Sequence, residues 1–73
     1  MDIETFYEKI GKNIKKIREQ RHLTQEALAE KSGISQDFLG KIEVCINRPG
    51  LKTIFKLSKA LEVEPSELLK FDN

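Results

Sequence analysis

The sequence predicts an all-α domain, a compact five-helix bundle with a helix-turn-helix at its centre. Three observations predict it. Apolar residues recur at steps of three and four along successive stretches, the period of one helix face. No short stretch alternates with period two and carries the β-branched and aromatic residues of a strand. Cap and breaker residues stand at the ends of the apolar stripes, so the chain divides itself into rods and turns.

The first stripe is Phe6, Ile10, Ile14 and Ile17. Thr5 and Glu8 have the capping-box spacing at its start, and Asp2 competes as a cap one turn earlier. The run Glu19 to His22 ends the stripe, with His22 where a left-handed terminating residue is needed. Thr24 opens the second helix, which carries Ala27, Leu28 and Ala29 and has Gln25 and Glu26 in its first turn. Gly33 stops it. Ser35 caps a third short helix with Phe38, Leu39 and Ile42 on its inner side, ending near Glu43 or Val44. Val44 to Gly50 reads as a loop. A fourth helix follows with Leu51, Ile54, Leu57, Ala60 and Leu61 in register, and Pro65 suits the first position of a short fifth helix holding Leu68 and Leu69.

With 73 residues, 38% of them hydrophobic and 34% charged, the chain has material for one core, so residues 1–73 are expected to form a single domain with a frayed tail at 70–73. So small a core is marginal unless a second subunit adds area. Thirteen Lys and Arg against twelve Asp and Glu leave a net charge of +1, so any basic surface must arise by segregation. One cysteine and one histidine are too few for an intramolecular disulfide or a structural zinc site, and no cofactor is indicated. No apolar run is long enough for a membrane span or a signal peptide, which points to a cytoplasmic protein with no membrane partner.

The informative stretch is TQEALAEKSGISQDFLGKIE, Thr24 to Glu43. Two helices crossing at a wide angle across a tight turn need a small residue near the crossing, here Ala29, and one free to take positive φ, here Gly33. Leu28, Ile34, Leu39 and Ile42 would lock the pair onto the first and fourth helices. Together with IKKIREQRHLTQEALAEKSGIS, the KIE that closes the third helix, RPGLKTIFKLSKALEV and PSELL, the chain resembles the Xre-type helix-turn-helix family of lambdoid phage repressors, Cro proteins and restriction-modification controllers. The resemblance runs from about Ile10 to Leu69.

The resemblance implies a lambda repressor-like DNA-binding domain whose third helix enters the major groove. By position, Gln25 matches a phosphate contact, Gln36, Asp37 and Lys41 match positions facing base edges, and Arg18 and Glu43 match an ion pair between the first helix and the end of the third. The chemistry of the side chains agrees for Gln36, which can pair with adenine N6 and N7, and for Lys41, which can donate to guanine O6 or N7. Asp37 can accept only from cytosine N4, and otherwise rejects bases or simply complements the helix dipole. Phosphate contacts are expected from Thr24, Gln25, Asn47, Arg48 and Lys52. Gly40 either permits close approach or is a tolerated defect.

Where the family commonly ends helices with glycine, this chain has His22, Cys45 and Glu62. Val44, Cys45 and Ile46 also stand in a loop that is usually polar. Either Val44 and Ile46 cap the domain's own core, or Val44, Ile46, Phe55 and Phe71 are contacts of a homodimer. A dimer on a palindromic operator in double-stranded DNA is expected, because one recognition helix reads only a few base pairs. The function so read is that of a sequence-specific transcriptional regulator, a repressor or controller, with no small-molecule ligand indicated. The alternative is a protein-interaction module on the same scaffold. Catalysis is not expected: His22 and Cys45 lack an orienting third group, and Glu26 and Glu30 form an outward pair.

Overall fold

Asp2, not Thr5, starts the first helix. In the computed structural model, which describes residues 1–71, the Asp2 carboxylate accepts a hydrogen bond from the Thr5 backbone N–H at 2.8 Å, and α1 runs over Ile3–Gln20. That bond holds the Asp2 carboxyl below its ordinary pKa. Thr5 lies inside the helix, so the capping-box spacing Thr5–Glu8 is not used.

The other helix starts follow the expected caps. Thr24 precedes α2 (Gln25–Ser32), its hydroxyl accepting from the Ala27 N–H, and Ser35 precedes α3 (Gln36–Glu43), accepting from the Phe38 N–H. After Gly50 comes α4 (Leu51–Leu61), and Pro65 opens α5 (Pro65–Leu68). The described residues contain no strand, and none of their helices is long and apolar enough to cross a membrane.

The core sits where all five helices converge. Ile10 and Ile14 of α1, Leu28 and Ala29 of α2, Leu39 and Ile42 of α3, Ile54, Leu57 and Leu61 of α4, and Leu68 of α5 are buried together. Ile34 is only partly buried at the rim of this cluster, with Phe6 and Ile17. Each fully buried leucine or isoleucine contributes roughly 1.5–3 kcal/mol of hydrophobic free energy.

His22, Cys45 and Glu62, which stand where the resemblance implies glycine, take the left-handed conformation, at φ 58°, 63° and 60°. Such a backbone costs an ordinary residue roughly 1–2 kcal/mol, so the helix ends are strained but not reshaped. The C-terminal segment is held at its beginning. The Asn13 side-chain amide donates to the Leu68 and Lys70 carbonyls at 3.1 and 2.8 Å, and the Phe71 ring meets Phe6 edge-on at 5.7 Å. Of the tail expected to fray, Lys70 and Phe71 thus contact α1, and residues 72 and 73 lie outside the described residues.

Candidate nucleic-acid interface

Gly33 makes the turn between α2 and α3. Its φ of 75° lets its N–H and that of Ile34 both donate to the Ala29 carbonyl, at 2.9 and 3.1 Å, so α2 ends and the chain is redirected within two residues. The crossing therefore has the small residue and the positive φ that its sequence required.

One buried ion pair sets the position of α3. Arg18 donates from Nε to Glu43 Oε2 at 2.7 Å and from Nη2 to Oε1 at 3.1 Å, and its Nη1 donates to the Leu23 carbonyl at 2.7 Å. The Arg18 and Glu43 side chains are only 10% and 1% exposed. The hydrogen bonds to Glu43 push the Arg18 pKa further above its already high ordinary value, so the guanidinium stays charged. Gln25 completes the arrangement by donating from Nε2 to Glu43 Oε1 at 2.9 Å. This third partner was not foreseen in the sequence. It commits one amide N–H of Gln25 to the protein, so the Nε2 group has one further N–H with which to donate.

The packing of α1 on α3 is set by Gly11, a second residue that sequence reasoning passed over. A Cβ at position 11 would collide with the Ile42 carbonyl oxygen and stand 3.2 Å from that of Glu43. The signal was readable: a glycine inside a long helix is costly unless another backbone comes close.

With Leu39 and Ile42 buried, α3 turns Gln36, Asp37 and Lys41 to solvent. Together with Gln25, Gly40 and Val44 they line an open depression on the surface. Lys41 and Asp37 are joined at 3.0 Å, and their side chains are 46% and 78% exposed. The three predicted base readers are thus brought together on one edge of one helix.

Beyond Val44 the loop folds back on α3, the Ile46 and Asn47 N–H groups donating to the Lys41 carbonyl at 2.8 and 3.2 Å. Arg48 lies over the Tyr7 ring, 4.8 Å from its centroid, and Tyr7 in turn meets Phe6 edge-on at 5.4 Å. No local pattern in the sequence marks Tyr7 for this contact. Thr24 and Lys52 are exposed, and Asn47 is half-buried.

Val44 and Ile46 are 65% and 70% exposed, so they do not cap the domain's own core. Phe55 is exposed on α4. Phe71 is not free for a second copy in the same way, because its ring is partly buried against Phe6 and under the Lys9 ammonium.

Comparison with known proteins gives the same reading. The family HTH_3, described as helix-turn-helix, matches residues 14–68. The HTH-type transcriptional regulator y4dJ of Sinorhizobium fredii is 35% identical over 60 residues, covering 82% of this chain and 78% of that protein. The restriction-modification controller C.AhdI of Aeromonas hydrophila superposes with a TM-score of 0.83 at 35% identity, over 85% of this chain and 94% of its own. The biofilm regulator SinR, solved in complex with DNA, superposes with a TM-score of 0.79 at 32% identity, over 84% and 98%. Other curated relatives are longer, and this chain spans 42% of one and 52% of another. The family match over residues 14–68 and these relatives show that the chain belongs to the HTH_3 helix-turn-helix family of transcriptional regulators.

Proposed function

We propose that this regulator reads the major groove of double-stranded DNA with α3, as a homodimer on a palindromic operator, and serves as a repressor or controller. The observation that carries the reading is the two-sidedness of α3. Its inner edge is buried and tied to Arg18, while its outer edge offers an amide, a carboxylate and an ammonium side by side. Gln36 suits adenine, and Lys41 suits guanine. Thr24, Gln25, Asn47, Arg48 and Lys52 would contact phosphates and set register without reading sequence. A relative of like fold has been solved in complex with DNA, which supports DNA as the partner. A regulator of this kind acts in the cytoplasm.

Selection from a random duplex library tests the proposal, followed by binding measurements across salt concentrations. The expected outcome is a selected half-site repeated with inverted symmetry, and affinity that falls steeply as salt rises. Gln36→Ala should relax preference at one position. Arg48→Ala should weaken every duplex alike and reduce the salt slope by about 0.9. Equal, salt-insensitive retention of selected and random duplexes would instead support a protein-interaction module.

A further inference from the structure

We infer that Asp37 and Lys41 read DNA as one charge-neutral unit that selects a G·C base pair and denies α3 any general attraction to phosphate. The inference rests on the proposed DNA reading and deepens it. Glu43 is neutralised by Arg18, so the exposed edge of α3 carries one carboxylate and one ammonium, 3.0 Å apart. An unaccompanied lysine here would move freely to the nearest phosphate, because an ammonium on a flexible stem bonds any anion within reach. With Asp37 alongside it, Lys41 brings no net charge to a phosphate, and Asp37 repels the same phosphates.

Only a site that answers both charges compensates for separating them. The guanine edge offers two adjacent acceptors, N7 and O6, to the Lys41 ammonium, and the paired cytosine offers its N4 amine to the Asp37 carboxylate. An A·T pair answers less well: its adenine amine can donate to Asp37, but it stands between the two acceptors, so the ammonium meets one acceptor instead of an adjacent pair. Successive turns of α3 place both side chains over the same stretch of groove, since residues four apart share a helix face. Asp37 is thus a specificity-determining residue, acting by what it withholds from Lys41 as well as by what it accepts.

Sequence preference and random-duplex affinity, measured for the full chain and for Asp37→Ala, Lys41→Ala and the double variant, test this. Both positions are exposed, and helical circular dichroism confirms that each variant is folded. For Asp37→Ala the expected result is a gain of several-fold in affinity for random duplex, a salt slope steeper by about 0.9, and loss of most of a ~10-fold preference at one G·C position. Lys41→Ala should lose the same preference, and the double variant no more than either alone. The inference is overturned if Asp37→Ala leaves random-duplex affinity and the preference unchanged, or if the two substitutions add independently. Failure of the unaltered chain to prefer any duplex would overturn the DNA reading itself, and this inference with it.

Discussion

Removing the Arg18 guanidinium would leave the Glu43 carboxylate sealed among helices with the Gln25 amide as its remaining partner. An uncompensated buried charge is far more costly than the net value of the pair it came from. Arg18→Met should therefore lower the unfolding free energy by about 3–5 kcal/mol, whereas Arg18→Met combined with Glu43→Leu should recover most of the loss. Urea unfolding followed by circular dichroism distinguishes the two, and equal losses in the single and double variants would contradict a sealed, mutually dependent pair. The double variant also separates stability from presentation. It restores the fold without the fork that orients the end of α3, so its duplex affinity should stay below that of the unaltered chain. Tyr7 acts in a comparable way at the rim, giving the Arg48 guanidinium a ring to rest on without itself being part of the outer edge of α3.

Among the helices, Gly11 and Gly40 occupy opposite situations that the sequence presents alike, each a glycine inside a helix. A Cβ at Gly40 would lie 3.5 Å from the Gln25 amide oxygen, ordinary contact, whereas at Gly11 it would run into the backbone of Ile42. Gly11→Ala should cost about 1–3 kcal/mol through forced separation of α1 and α3. Gly40→Ala should instead gain up to roughly 1 kcal/mol of helix propensity. Thermal unfolding of the two variants checks the contrast, and a stabilised Gly11→Ala would show that α1 has room to move. What was legible in the sequence follows the same line. Caps at Thr24 and Ser35, the stop at Gly33 and the start at Pro65 act within a few residues of themselves, so spacing alone reveals them. The resemblance likewise supplied the Arg18–Glu43 pair, and it marked His22, Cys45 and Glu62 as ends that commonly hold glycine, without deciding whether they keep the left-handed backbone. Gly11, the Gln25–Glu43 bond, the Tyr7–Arg48 stack and the exposure of Val44 and Ile46 depend on which helices come to face each other, information that no local pattern contains.

The described residues measure 32 × 21 × 20 Å, so one copy laid lengthwise along B-DNA would span about a single turn, roughly 34 Å, and present one α3 to it. Two copies laid lengthwise in succession would place their recognition helices about a turn apart on the same face of the duplex, the spacing that a palindromic operator demands. The net charge of +1 makes such pairing electrostatically cheap, since two copies barely repel each other as wholes. Exposed apolar side chains supply material for the contact: Val44 and Ile46 on the loop after α3, and Phe55 on α4. If these residues form the interface of the proposed homodimer, a charge placed among them must be desolvated or must separate the subunits. Ile46→Lys and Phe55→Glu, both at exposed positions, should leave the monomer folded and shift sedimentation equilibrium towards the monomer. They should also reduce affinity for a two-half-site operator to about that for a single half-site, while the preference at each base position stays intact. Variants that sediment and bind like the unaltered chain would assign the dimer contact to another face, and leave the outer edge of α3 as the reader in either case.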